Sequence, residues 1–221
     1  FNTISYVTAT SGVTVDLGVG TNVTQSNAVN TGDAKGDTFV SIEIVKGSNF
    51  DDKITGDAAT AFATLDGGLG DDILIAKASW TKLIGGAGAD QFVGLTDGST
   101  TVSYETASAG ITADLRGIVA GTGDAAGDTF GTDTDNAITR LIGSNFDDVL
   151  YGDGAPSKVL TDYDWRNFSS LDGLDGDDQL YGGTNDDWLN GGEGADLLDG
   201  GDGGDAASYS NATSGVVVNM L

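Results

Sequence analysis

Large apolar side chains recur every nine residues near the end of the chain, with mostly Gly and Asp between them. Leu180, Leu189 and Leu198 mark this spacing in the stretch GLDGDDQLYGGTNDDWLNGGEGADLLDGG. A strand has a side-chain period of about 2 and a helix one of about 3.6, so neither element produces this period. The pattern predicts three-residue strands, each with its apolar residue inward and its neighbours outward, separated by six-residue turns.

Two such repeats close one coil of about 18 residues, so each strand pairs with the strand two repeats later, about 4.8 Å away. The apolar residues assigned to the interior of this stack are Ile54, Leu74, Phe92, Leu150, Leu180, Leu189 and Leu198. The alternating apolar residues Val13, Val15 and Leu17 predict instead a conventional strand beside the stack.

The residues around each apolar position follow the nonapeptide G-G-x-G-x-D-x-U-x, in which U is large and apolar. Clean or near copies stand at 67–75, 85–93, 173–181, 182–190, 191–199 and 200–208, and GSNFDD stretches share the Asp position at 47–52 and 143–148. Glycine suits these turns because it adopts backbone conformations that a Cβ would penalise, so that carbonyl groups can turn inward.

A longer repeat of about 100 residues contains the nonapeptides. Tyr6, Tyr104 and Tyr209 align in similar segments, the first two reading SYVTATSGVTVDL and SYETASAGITADL, and GDTF recurs at 36–39 and 127–130. Such internal repetition is typical of solenoid proteins, in which each unit stacks on its neighbour.

This repetition divides the chain into units. We expect one repeat unit at 1–98, a second at 99–203 and the start of a third at 204–221. The second unit contains an inserted loop at about 154–170. We interpret the chain as a segment of a longer tandem array.

Composition restricts the chemistry. The 221 residues carry a net charge of −25, and 31 of the 34 acidic residues are Asp, which suits turns better than Glu does. A balance this acidic argues against nucleic acid and anionic membranes as partners. His and Cys are absent, which excludes disulfides, the usual ligands of zinc and copper, and His-dependent catalytic triads. No run of about 18 apolar residues predicts a membrane span.

Regularly spaced carboxylates in glycine-rich loops predict sites for a hard cation. Calcium takes about six to eight oxygen ligands at about 2.3–2.6 Å, and two stacked loops can supply two Asp carboxylates and several backbone carbonyls. Magnesium fits poorly because it requires fewer, shorter bonds and retains its waters. The sequence therefore predicts calcium.

The stacking rule predicts which carboxylates share cations. The expected ladders are Asp52, Asp72 and Asp90 in the first unit, Asp148, Asp178 and Asp196 on one edge of the second unit, and Asp187 and Asp205 on its other edge. Asp148 joins Asp178 if the insertion loops out. Asp37 and Asp128, in the GDTF stretches, are further candidates with irregular spacing. The glycines assigned to these sites are Gly67, Gly70, Gly85, Gly88, Gly173, Gly176, Gly182, Gly191, Gly194 and Gly200.

The two edges of the first unit are expected to differ. The stretch AKASWTKLI (76–84) places lysines where the second edge would need a carboxylate. The first unit should therefore bind calcium on one edge, and the second unit on both.

In these motifs the chain resembles the RTX, or hemolysin-type, family of calcium-binding nonapeptide repeats. The resemblance implies an all-β fold, a right-handed parallel β-roll or β-helix solenoid, with calcium ions, about five or more, between stacked GGxGxD loops. It also implies a segment of a large secreted bacterial protein, exported by a type I secretion system and folded by calcium outside the cell.

Three functions remain open. The chain could be a calcium-stabilised structural or adhesive array in an adhesin or S-layer-like protein, or an accessory module of a secreted protease, lipase or alginate epimerase. Carboxylates alone can also hydrolyse glycosides, but no catalytic pair stands out, so we predict no enzymatic activity. The expected partners are calcium and neighbouring repeat units, with self-association or a surface glycan as further candidates. The aromatic residues at 162–168 are expected to pack against the roll.

Overall fold

The computed structural model describes residues 1–18, 30–95, 98–131, 138–152, 169–213, 215 and 217. The inserted loop and its aromatic residues at 162–168 thus lie almost entirely outside the described residues. Within the described ranges the chain forms 18 strands and two short 3-10 turns, at Gly32–Ala34 and Gly123–Ala125, and no α-helix. The prediction of an all-β chain is confirmed.

The strands are short and follow one another closely. Their bounds are β1 (Thr3–Ser5), β2 (Thr14–Asp16), β3 (Ile44–Lys46), β4 (Lys53–Thr55), β5 (Phe62–Leu69), β6 (Ile73–Ile75), β7 (Trp80–Ala87), β8 (Gln91–Val93), β9 (Ser99–Ser103), β10 (Thr112–Asp114), β11 (Thr129–Phe130), β12 (Ile138–Ile142), β13 (Val149–Tyr151), β14 (Ser170–Asp175), β15 (Gln179–Gly183), β16 (Trp188–Glu193), β17 (Leu197–Gly201) and β18 (Ala206–Ala207).

Three parallel sheets build the solenoid. Sheet A has nine strands in the order β1-β3-β5-β7-β9-β12-β14-β16-β18, sheet B has five in the order β11-β8-β6-β4-β2, and sheet C has four in the order β10-β13-β15-β17. Consecutive strands lie in different sheets, and apart from β10 and β11 they alternate between sheet A and one of the other two, so the chain winds back and forth in coils. This is the parallel β-roll that the sequence predicts. We call the coils at residues 44–93 the first roll and the described coils within residues 138–207 the second roll.

The predicted coil register is observed. Leu74 pairs with Phe92 and Leu180 with Leu198, one coil apart, and the first of each pair is fully buried. Of the predicted interior residues, Ile54, Leu74, Phe92, Leu150, Leu180 and Leu189 are buried. Leu198 is only partly buried because β17 is the edge strand of sheet C.

Two expectations about strands are wrong. Val15 pairs with Ile54 in sheet B and is fully buried. The strand that contains Val15 is therefore part of the stack and does not lie beside the stack. Strands β5 and β7 have eight residues each, because sheet pairing continues through their glycines, as in Gly68 with Gly86. The turns that follow β5 and β7 are therefore shorter than the six residues that the nonapeptide predicts.

A fold-back joins the two rolls. After β10 the chain turns through Gly123–Ala125 and returns as β11, which pairs with β8 of the first roll. Phe130 stacks on Phe92 with ring centroids 5.7 Å apart. Sheet A continues through β9 between the rolls, while the unit boundaries at 98/99 and 203/204 stay predictions.

Candidate metal centre

The sixth-position Asp side chains of the first roll form a hydrogen-bonded ladder. The backbone N–H of Asp52 donates to Oδ1 of Asp72 at 2.7 Å, and the N–H of Asp72 donates to Oδ1 of Asp90 at 2.8 Å. All three residues are buried. The register of β4, β6 and β8 thus brings together the carboxylates that the sequence groups.

The second roll has ladders on both edges. On one edge the N–H of Asp148 donates to Oδ1 of Asp178 at 2.8 Å, and that of Asp178 donates to Oδ1 of Asp196 at 3.1 Å. On the other edge the N–H of Asp187 donates to Oδ1 of Asp205 at 3.0 Å. Asp196 and Asp205 are less buried than the others because the described stack ends there.

Each of the two GDTF aspartates accepts a hydrogen bond from a tyrosine hydroxyl. Oδ1 of Asp128 accepts the N–H of Asp90 at 2.8 Å, so the fold-back extends the first-roll ladder by one carboxylate. Oδ2 of Asp128 accepts the hydroxyl of Tyr104 at 2.6 Å, and Oδ2 of Asp37 accepts the hydroxyl of Tyr6 at 2.7 Å. The sequence signal for this pairing is the joint recurrence of Tyr and GDTF. Sequence reasoning used both to align the units and assigned the GDTF aspartates as candidate ligands, but did not pair them with the tyrosines.

The second oxygens of three carboxylates lack a donor. Oδ2 of Asp72, of Asp90 and of Asp178 is buried and accepts no hydrogen bond within the described part of the chain. Burial raises the pKa of Asp72 to about 8 and the pKa of Asp90 and of Asp178 to about 7. A buried anionic oxygen without a partner is costly, so these positions fit a bound cation.

The first glycine of each loop makes room for this oxygen. A Cβ built on Gly67, Gly85 or Gly173 would collide with Oδ2 of the Asp five residues later. At Gly173 the same space is also approached by the carbonyl oxygen of Gly191 from the next coil. Carboxylate and carbonyl oxygens therefore converge on one small space, which is the donor set that calcium prefers.

The later glycines allow the turn itself. Gly70 has a φ of 112° and Gly194 a φ of 143°, values that residues with a Cβ rarely adopt. No group of three or more acidic side chains that could hold a metal ion occurs within the described ranges. A cation held here would consequently take most of its ligands from the backbone.

An outer row of aspartates was missed by sequence reasoning. The N–H of Asp71 donates to Oδ1 of Asp51 at 3.0 Å, and the N–H of Asp177 donates to Oδ1 of Asp147 at 2.9 Å. These carboxylates are exposed and accept from the following coil, whereas the inner carboxylates accept from the preceding one. The recurrent Asp-Asp dipeptide is the signal that could have revealed them.

Two serines were also missed. In the GSNFDD loops, Ser48 and Ser144 stand where the nonapeptide has its second glycine. The backbone N–H of Ser48 donates to Oδ2 of Asp52 at 2.5 Å, and that of Ser144 donates to Oδ2 of Asp148 at 2.5 Å. These two loops therefore satisfy internally the oxygen that the loops of Asp72, Asp90 and Asp178 leave bare.

Comparison with known proteins agrees with this geometry. A family model of the RTX calcium-binding nonapeptide repeat matches residues 64–78 and 172–206, in four copies. A search of the curated proteins finds no match to the chain. In the part of the chain that the structure describes, no helix is long and apolar enough to cross a membrane. The matched ranges include the loops of Asp72, Asp178, Asp187, Asp196 and Asp205, so these two stretches of the chain contain RTX calcium-binding nonapeptide repeats.

Proposed function

We propose that this chain is a calcium-folded structural module of a secreted or cell-surface RTX protein. The observation that carries the proposal is the row of buried carboxylate oxygens without donors, at Asp72, Asp90 and Asp178. All three lie in nonapeptide loops, and those of Asp72 and Asp178 match the RTX repeat. Calcium would supply the positive charge that these oxygens lack. The first unit would bind it on one edge and the second unit on two.

The residues that would hold calcium are those of the regular loops. They are Asp72, Asp90, Asp178, Asp187, Asp196 and Asp205, with backbone carbonyls of the glycines beside them. Each carboxylate is positioned through Oδ1, which accepts a backbone N–H from the preceding coil, and this leaves Oδ2 directed at the first glycine of its own loop. The chain itself thus orients the ligands, and burial excludes water from Asp72, Asp90, Asp178 and Asp187.

Folding would follow calcium concentration. Without the cation, stacked carboxylates repel one another and three-residue strands cannot hold the coil, so calcium binding becomes folding free energy. Extracellular calcium modules bind with dissociation constants of about 10⁻⁴–10⁻³ M. The chain would therefore stay unfolded in a calcium-poor cytosol and fold outside the cell, after export through a type I system.

We further propose a place in an adhesin or S-layer-like array. The support is that sheet A runs through both rolls and that the fold-back strand β11 of the second unit docks on the first roll, which is how a longer solenoid would grow. An accessory module of a secreted enzyme is the alternative. The parent sequence distinguishes them, because further copies of the unit indicate an array and a separate catalytic domain indicates an enzyme.

Circular dichroism tests the folding proposal. We expect little β-structure in chelator and a cooperative gain of β signal as calcium reaches millimolar concentration. Equal β content in both conditions would refute the proposal.

A pair of substitutions tests the assignment of ligands. Asp196→Ala should raise the calcium concentration needed for folding more than Asp199→Ala does, because Asp196 occupies the sixth position of its loop and accepts the N–H of Asp178. Asp199 lies in β17 and is exposed. Equal shifts from the two variants would show that the loop register does not determine calcium binding.

We also propose a surface glycan as a further partner of the chain. Its support is a groove of about 260 Å³ on the first roll, where Phe62 and Trp80 stack with ring centroids 6.5 Å apart and are each about half exposed. Planar aromatic pairs can stack on sugar rings. A glycan array on the calcium-loaded chain, with Trp80→Ala as control, tests this, and absence of binding at millimolar chain concentration would exclude it.

A further inference from the structure

Three carboxylates of the inner ladders differ from those of the regular loops. Asp52 begins the ladder of the first roll, Asp148 begins one ladder of the second roll, and Asp128 ends the ladder of the first roll. All three have hydrogen-bond donors on both oxygens. They therefore mark ladder ends whose carboxylate oxygens all receive hydrogen bonds from the chain itself.

The donors at the two beginnings are identical in kind. Oδ2 of Asp52 accepts the N–H of Ser48 at 2.5 Å, while Oδ1 accepts the Ser48 hydroxyl at 2.9 Å and the N–H of Val13 at 2.6 Å. Asp148 repeats this set with Ser144 at 2.5 and 2.9 Å and with Ile111 at 2.7 Å. Each first carboxylate thus accepts three hydrogen bonds.

Backbone conformation explains why the serine loops differ from the glycine loops. Gly68 and Gly86, at the same loop position in the first roll, have φ values of 110° and 99°, whereas Ser48 and Ser144 do not have positive φ. In the serine loops the N–H at this position donates to the loop carboxylate. In the glycine loops the changed φ reorients the peptide, and Oδ2 of Asp72 and Oδ2 of Asp90 accept no such bond.

The donor at the far end comes from another part of the chain. The Tyr104 hydroxyl donates to Oδ2 of Asp128 at 2.6 Å, and the Asp90 N–H donates to its Oδ1 at 2.8 Å. Tyr104 is buried and follows β9. Asp128 follows the 3-10 turn at Gly123–Ala125. The ladder of the first roll is therefore closed by residues of the following unit.

We propose that Ser48, Ser144 and Tyr104 are ladder caps, which give the terminal carboxylates hydrogen bonds in place of calcium. The proposal rests on the calcium-folding function proposed above and specifies where the ions lie. Asp52, Asp148 and Asp128 do not need a cation, so the number of ions follows the carboxylates with a bare oxygen. The sequence-based assignment of these three as ligands is thereby revised.

Ion counting on the full chain tests the proposal. The measurement is native mass spectrometry in saturating calcium, with circular dichroism to establish that each variant is folded. Asp52→Asn, Asp148→Asn and Asp128→Asn should each keep the ion count of the unaltered chain, whereas Asp72→Asn and Asp178→Asn should each lose at least one ion. Loss of an ion in the folded cap variants would overturn the caps but leave calcium binding intact. An unaltered chain that binds no calcium would overturn the proposed function itself.

A second measurement does not depend on altered carboxylates. Tyr104→Phe removes one donor from Asp128, and Tyr6→Phe removes the same bond from Asp37, which stands on no ladder of the described chain. Tyr104→Phe should raise the calcium midpoint of folding by about 1.5-fold or more, because the loss of one charge-assisted hydrogen bond is spread over several ions. Tyr6→Phe should shift it less. A lower midpoint for Tyr104→Phe would show that the hydroxyl competes with calcium, and an equal shift in both variants would show a general packing effect; either result overturns the proposal.

Discussion

Both rolls contain coils of 18 residues, as between Asp72 and Asp90 and between Asp178 and Asp196, but they close their second edges differently. In the second roll this edge carries Asp187 and Asp205, whose loops stack through a 3.0 Å hydrogen bond. In the first roll the corresponding turn contains the buried residues Ala76 and Ala78, and the Thr81 hydroxyl donates to the Ala78 carbonyl at 3.1 Å. An apolar turn therefore closes the second edge in the first roll, whereas a carboxylate ladder closes it in the second roll.

The strands of sheet A next to these edges also differ between the two rolls, in the length of their pairing. Strands β5 and β7 pair over seven positions, from Phe62 with Trp80 to Leu69 with Ala87. Strands β14 and β16 pair over five positions. The apolar stack sets the coil in both rolls, whereas the edge is a separable element, closed either by packing or by acidic loops. The two rolls should consequently depend on calcium to different degrees.

Removal of calcium should have the largest effect and should separate the rolls. As free calcium is lowered, amides of the second roll should lose hydrogen-exchange protection before those of β5 and β7, because two of its edges contain carboxylates that need a cation. Hydrogen exchange with mass spectrometry across a calcium series measures this order. Simultaneous loss in both rolls would mean that the junction makes them one cooperative unit, and earlier loss in the first roll would contradict the comparison.

The second largest effect is expected when a methyl group is added at one edge of a coil and compared with a methyl group at the opposite edge. Gly67→Ala places a Cβ against Oδ2 of Asp72, and it should cost about 1–3 kcal/mol and weaken calcium binding. Gly56→Ala, on the opposite edge, meets nothing closer than 3.4 Å and should change stability by no more than about 0.5 kcal/mol. Denaturant unfolding in saturating calcium compares the two. Similar costs would show that the edges are equally constrained.

Neutralising a bare carboxylate should change sign with calcium. Asp178→Asn removes a buried charge whose Oδ2 has no donor, so in chelator it should stabilise the coil by about 1–3 kcal/mol. In saturating calcium it should destabilise the chain by about 2–3 kcal/mol, because one bound ion is lost. The matched control is Asp177→Asn in the same loop, whose carboxylate is exposed and accepts the Ala195 N–H at 2.9 Å. Circular dichroism in chelator, where a more stable coil gives more β signal, and urea unfolding in saturating calcium measure both variants, and the same sign in both conditions for Asp178→Asn would exclude a ligand role.

The sequence predicts the regular part of this architecture well and the irregular part poorly. Leu180 over Leu198 and Asp178 over Asp196 follow from the nine-residue period alone, because each coil contains two repeats. The contact of Asp90 with Asp128 spans 38 residues and depends on a fold-back that no period encodes. The role of Ser48 was hidden because it depends on the direction of a backbone N–H, which a sequence pattern does not show.

One irregular residue gives the smallest and most specific test of the comparison. Leu174 occupies the second position of its loop with a φ of 78°, where the first roll has Gly68 and Gly86. A residue with a Cβ costs about 1–2 kcal/mol in the left-handed conformation. Replacement by glycine removes this cost, but the greater freedom of glycine in the unfolded chain offsets part of the stabilisation. Leu174→Gly should therefore stabilise the calcium-loaded chain by about 0.5–1 kcal/mol.

The same exchange one position further along a loop should have the opposite sign. Leu69 lies in β5, is half exposed and does not have positive φ, so Leu69→Gly removes no strain and should destabilise the chain by about 1 kcal/mol. Thermal unfolding of both variants in saturating calcium measures the difference. If Leu174→Gly also destabilised, the contacts of the Leu174 side chain would outweigh its backbone strain. The second roll would then hold this loop by packing, as the first roll holds its second edge.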